Sequence, residues 1–227
     1  MRRFTALISF ALVGSCLAQE ASIGISGGPS IGRLHGNNIF EQVNPITGHQ
    51  FGASYTRWFK NGFGVQVQPI YARMGTAVDF IGTDVDGNET FRDEVRYLFD
   101  HLGFGIGAAY RTPGRVYALA TLGLMPSIVF SSQARSPAFF NEQGDVVVTY
   151  LTSKVNNPVL LGYGSIGGAV DLKAPITIGL LVRYDHGLTT LSRADFFENE
   201  DMFTTSWTAV LTVAYRWSRA KSRSPVE

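Results

Sequence analysis

The chain has 227 residues, enough for one domain with a sizeable core. Only 16% of them are charged, against about 25% in ordinary soluble domains, and 45% are hydrophobic, the opposite of a disordered composition. Nineteen Lys and Arg against eighteen Asp and Glu leave a net charge of +1, so no basic excess points to nucleic acid, and so few charges make a poor water-facing surface.

Residues 1–18 open on Arg2 and Arg3, continue through an uncharged apolar stretch from Phe4 to Leu17, and end at Ala18 before Gln19. This is the layout of a secretory signal peptide. A membrane-spanning helix needs about 20 apolar residues, more than this stretch supplies. Cys16 is the single cysteine, which excludes an intramolecular disulfide. The preceding Val13-Gly14-Ser15 resembles a lipobox, so lipidation of Cys16 competes with ordinary cleavage after Ala18, which is the preferred reading.

Beyond the signal, apolar and small or polar residues alternate with period two, and a strand sends successive side chains to opposite faces. Between Phe63 and Tyr71 the apolar set is Phe63, Val65, Val67, Pro69 and Tyr71. The uncharged run Val116 to Ala134 includes Gly123 and Pro126 without helix caps, and reads as a strand with a loop starting near Ser131. Ile176, Ile178, Leu180, Val182 and Tyr184 alternate with Thr177, Gly179, Leu181, Arg183 and Asp185. From Phe203 to Trp217 one face is Phe203, Thr205, Trp207, Ala209, Leu211, Val213, Tyr215 and Trp217, and the other is small and polar.

Eight strands are predicted, over 22–33, 49–59, 63–74, 96–111, 115–130, 158–172, 175–187 and 203–217. Their connections alternate between short turns, such as Lys60-Asn61-Gly62 and Thr112-Pro113-Gly114, and long loops over 34–48, 75–95, 131–157 and 188–202. This is the connectivity of an all-β, eight-stranded antiparallel up-and-down transmembrane β-barrel with short periplasmic turns and long extracellular loops. The barrel domain is set at 19–217, followed by a short basic periplasmic tail, 218–227. The long loops hold thirteen of the eighteen acids, while Lys60, Arg111, Arg115, Lys173 and Arg216 lie toward the opposite rim.

Within hydrocarbon only helices and closed barrels pair all their backbone polar groups. Trp58, Phe59, Phe63, Tyr215 and Trp217 are assigned to an aromatic girdle at the turn rim, and Tyr71, Tyr184 and Trp207 to one at the loop rim. Ten steps from Trp207 to Trp217 cover roughly 25 Å along the membrane normal, at ~3.3 Å per residue and ~40° tilt. A soluble lipocalin-like barrel points its greasy face inward, and the remaining Gly, Thr, Ser and Gln face then makes a weak aqueous surface.

The signal ending in Ala18-Gln19, the Gly-rich first strand Ile23 to Pro29, the Tyr97-Leu98-Phe99 opening of the fourth strand and the Tyr215-Arg216-Trp217 close carry a family likeness. Over about residues 20–217 the chain resembles the outer-membrane β-barrel proteins of Bacteroidota, the porin-family or outer-membrane β-barrel domain proteins. The resemblance implies location in the outer membrane of a Gram-negative bacterium, contact with outer-membrane lipid and with barrel-insertion machinery, and little about chemistry.

Asp84-Val85-Asp86-Gly87-Asn88-Glu89 has the opening of a calcium loop but Val95 where the twelfth-position Glu belongs, so it reads as a solvated acidic turn. Asp100-His101 and Asp185-His186 are the candidates for acid-base chemistry, with no motif naming a nucleophile. Arg183, Asp185 and Arg216 are assigned to the interior, where charges must pair or meet water. Arg73 or Arg216 is expected to meet Asp171 or Asp100 across a filled lumen. The reading is a monomeric, non-enzymatic barrel without cofactors or nucleic-acid partners. It is structural, or acts in adhesion or partner binding through acidic extracellular loops that meet a ligand of unknown identity. A narrow passive channel and a lipid-modifying enzyme are the alternatives.

Overall fold

In the computed structural model, the described residues are 20–36, 43–83, 85–136, 147–172, 175–192 and 201–218. The signal stretch with Cys16, and the tail beyond Ser218, lie outside them. Nine strands follow in order: β1 (Glu20–His35), β2 (Val43–Trp58), β3 (Phe63–Thr83), β4 (Glu89–Arg111), β5 (Val116–Ser136), β6 (Val147–Tyr150), β7 (Val159–Asp171), β8 (Ile176–Gly187) and β9 (Phe203–Ser218). Each of the eight long strands pairs antiparallel with its neighbours, and β1 also pairs with β9 while β4 pairs with β5 and β5 with β7. The sheet is therefore a closed eight-stranded ring, with no free edge along its wall. The short β6 lies outside the ring, added to β5 through Gln133↔Tyr150 to Ser136↔Val147.

The turn end is held by local chemistry. Gly62 (φ 81°) and Gly114 (φ 125°) occupy the left-handed region that a side chain disfavours. Phe63 N–H donates to Asn61 Oδ1, and Ala118 N–H donates to Thr112 Oγ1.

The alternation places apolar residues on the outer wall. Ile25, Phe51, Val65, Phe104, Ile106, Leu122, Ile166, Leu180 and Leu211 are exposed there, whereas Gln68, Ser127, Arg183, Asp185, Ser206 and Thr208 face inward and are buried. Among the described residues no helix is long and apolar enough to cross a membrane, which says nothing of a β-barrel, since barrels cross with strands.

Four long strands, β2 to β5, overrun their predicted bounds. The stretch 75–95, read as a loop, is mostly a β3–β4 ladder running out to Thr83↔Glu89, with Gly87 (φ 83°) in the turn. β5 runs on to Ser136, past the point near Ser131 where a loop was expected, and β2 starts at Val43 rather than 49. Beyond the lipid-facing zone the outer wall has no need of apolar residues, so pairing continues while the pattern that announced it stops.

Candidate functional site: lumen and loop end

The lumen is filled at three levels. Midway along β8, Arg183 and Asp185 project inward on one face, and the guanidinium donates from Nε and Nη2 to the carboxylate, the closest contact being 2.7 Å. Nη1 donates to Gln68 Oε1 on β3 at 3.1 Å, and the guanidinium lies over the Tyr163 ring of β7, 4.2 Å from its centroid. Tyr163 fits because its neighbours lack side chains. A Cβ on Gly107 would stand 2.6 Å from its hydroxyl, and one on Gly123 would stand 2.7 Å from its ring. Part of the glycine excess is thus space for one aromatic ring inside a narrow barrel.

At the turn end, Arg111 forks onto Glu20 (3.0 and 2.7 Å), and Arg216 reaches Asp171 at 2.7 Å and Glu20 at 3.4 Å. Tyr117 and Thr177 hydroxyls donate to Asp171 Oδ1. Arg111, expected only at a basic rim, is a half-buried ion-pair partner inside the barrel, beside Arg216, which the sequence assigned to the interior opposite Asp171. Between these two charge clusters lies a cavity of about 60 Å³ lined by Ser26, Gln50, Gln66, Thr121 and Ser165, room for a few waters.

Toward the loop end the interior becomes apolar. Leu34, Met74, Phe99, Val129 and Leu161 from the strands meet Val155, Leu191 and Met202 from the connections, all of them buried. Backbone bonds hold these connections across the mouth: Leu191 N–H donates to Met202 O, and Asn156 N–H donates to Leu191 O. The plug carried no periodic signal, because three of its members lie outside the barrel strands.

The acid-histidine neighbours do not assemble. Asp100 turns to the outer wall, where Arg73 grips it at 2.7 and 2.9 Å and the Tyr71 hydroxyl donates to it. His101 turns inward, 1% exposed, with Nδ1 3.5 Å from Ser127 Oγ. Asp185 faces the lumen and His186 the outside. Adjacent strand residues take opposite faces, so neither carboxylate orients its neighbouring imidazole. The same geometry corrects one expected contact: Arg73 and Asp100 meet on the outer wall, not across the lumen.

Outward aromatics gather at two heights. Near the turns, Phe63 packs at a tilt against Tyr110 (4.8 Å between centroids), and Trp217 lies 6.2 Å from Tyr215 and 6.3 Å from Tyr55. Higher on the wall, Tyr184 lies 4.6 Å from Trp207, and Tyr71 lies 6.0 Å from Phe130. Phe59 is half-buried in the turn after β2. Trp58 departs from the girdle assignment: it is 5% exposed, donates its indole N–H to Ser22 Oγ and lies beneath Arg111 at 4.6 Å. Its even-numbered register shares the inward face of β2 with Gln50 and Thr56, and the Arg111 cation gives the ring a partner inside.

At the loop end, Asp79, Asp86 and Glu89 are exposed on the β3–β4 hairpin, and Asp79 accepts from Asn44. Asp84 lies outside the described residues, and among those described no three His, Cys, Asp or Glu group to hold a metal ion. At the loop end of β1, above the outward aromatics, burial and then the neighbouring charges of His186 and Arg33 hold His35 below the usual histidine pKa.

Comparison with known proteins adds the family. Residues 17–193 match the family described as "Outer membrane protein beta-barrel domain". No curated protein sequence matches the chain. Among solved structures, Neisserial surface protein A is 8% identical, with a TM-score of 0.49 over 87% of this chain and 97% of its own. The outer membrane protein OprG of Pseudomonas aeruginosa is 11% identical (TM-score 0.44, 88% and 98%). Ail, the attachment invasion locus protein of Yersinia pestis, is 16% identical (TM-score 0.44, 88% and 99%).

Proposed function

Since the chain belongs to the outer membrane protein beta-barrel domain family and is a protein of the Gram-negative outer membrane, we propose that it is a non-enzymatic, monomeric barrel that binds a cationic partner outside the cell. The observation that carries this is the overrun of β3 and β4. Arg73↔Asp100 lies beside the upper outward aromatics, and the ladder continues ten residues to Thr83↔Glu89. At ~3.3 Å per residue that is about 33 Å of hairpin beyond the lipid-facing wall. Glu94 is paired with Arg96, but a hairpin that also carries Asp79, Asp86, Glu89 and Asp93 presents negative potential to the medium and draws cationic surfaces.

The filled lumen supports the same reading, because two charge clusters and an apolar plug leave the outer surface as the place for contact. Residues 1–18 act as the export signal, cleaved after Ala18, and barrel-insertion machinery then receives the chain. The outward aromatics anchor it at both interfaces.

The test uses the full mature chain in lipid nanodiscs, captured on immobilised poly-L-lysine. Wild type binds in low salt and releases as salt rises. The triple variant Asp79→Asn/Asp86→Asn/Glu89→Gln binds at least fivefold less. Equal binding by both, or by empty nanodiscs, overturns the proposal.

A further inference from the structure

Above the upper outward aromatics the wall turns polar on two sides of the barrel, and the sides differ in charge. On β3 and β4, Arg73 is neutralised by Asp100. On β1, β9 and β8, the register sets Arg33 opposite Thr205 and Thr205 opposite His186, one row across three strands. One row lower, Ile31, Trp207 and Tyr184 align in the same way.

The upper row is built rather than scattered. The His35 ring stacks on His186 with centroids 5.4 Å apart, and the Tyr184 hydroxyl lies 3.4 Å from His186 Nδ1. With Arg33, Pro45 and Trp207 these side chains line a groove of about 380 Å³. Among the described residues, exposed Arg33 has no ion-pair partner and buried His35 Nδ1 has no hydrogen-bond partner. The nearest acid in sequence to His186, Asp185, faces the lumen, where Arg183 holds it. Exposed Asp201 lies before β9, beyond the groove lining.

Height supplies the ligand class. Two residues up a strand tilted ~40° is about 5 Å, which puts Arg33 and His186 in the headgroup layer if Trp207 marks its lower boundary. We propose that this groove binds a phosphate group of an outer-leaflet glycolipid. Arg33 offers its planar fork, the two imidazoles offer ring N–H donors and Tyr184 its hydroxyl, while the acyl chains descend past Trp207 and Ile31. The assignment is independent of the acidic hairpin, which rises from a different part of the wall.

Native mass spectrometry of the full mature chain, folded in neutral detergent and mixed with bis-phosphorylated lipid A, tests it. The expected result is a retained one-to-one adduct, at least fivefold weaker with dephosphorylated lipid A and in Arg33→Gln/His186→Gln. Arg135→Gln, on the outer face of β5, is the charge control and binds as wild type. Equal adducts from the two lipids overturn the proposal, as does an equal loss in Arg135→Gln. Should the double variant fail to fold, the ring-proton resonances of His35 and His186 in wild type give the same answer: they move with phosphorylated lipid A and not with the dephosphorylated form. If inorganic phosphate alone moves them equally, the site takes a free anion and the lipid assignment falls.

Discussion

Arg183 and Asp185, two positions apart on β8, meet inside the barrel at 2.7 Å, 4% and 2% exposed. A buried pair of this kind costs much in desolvation, so its weight appears when one partner is removed. Arg183→Met and Asp185→Leu should each lower unfolding free energy in urea by about 3–5 kcal/mol, because each leaves one buried charge. The double variant Arg183→Met/Asp185→Leu should recover much of that loss. Single variants within about 1 kcal/mol of wild type would show that water reaches the pair and that the middle of the lumen is open.

The three tryptophans divide by face. Trp207 and Trp217 are exposed on the outer wall, and Trp58 is buried inside under Arg111. In single-tryptophan variants reconstituted with lipids brominated on the acyl chains, Trp207 and Trp217 fluorescence should be strongly quenched and Trp58 nearly unaffected. Strong quenching of Trp58 would return it to the girdle and contradict the Ser22 and Arg111 contacts.

His101 and Ser127 approach each other inside the barrel, but the Phe99 and Val129 plug covers them and Asp100 points away. His101→Ala and Ser127→Ala should leave the lipid A mass spectrum of the host cell identical to that of wild type. A lipid species lost in either variant and in the gene deletion would establish catalysis.

Side-chain facing along β8 and β9 was legible in the sequence, since lipid demands an apolar residue at every second position. Parity alone also separates Asp100 from His101. Trp58 was misplaced because rim aromatics look alike in sequence, and its Arg111 partner is fixed only by barrel closure. The ends of β3, β4 and β5 were missed where the outer wall leaves hydrocarbon and charged residues replace the pattern. The Leu191 and Met202 plug and the Arg33, His35 and His186 groove stayed hidden for a shared reason. Each joins residues distant in sequence, and only the register between strands and the path of the connections bring them together.

The proposed function places contact on the outer surface and nothing through the lumen. Planar-bilayer recording of the purified, folded chain tests this most directly. No conductance steps above the bare bilayer are predicted, with Arg183, Tyr163 and the Met202 plug in place. Reproducible single-channel steps that change size in Arg183→Ala would place ions beside that guanidinium and make the barrel a channel instead.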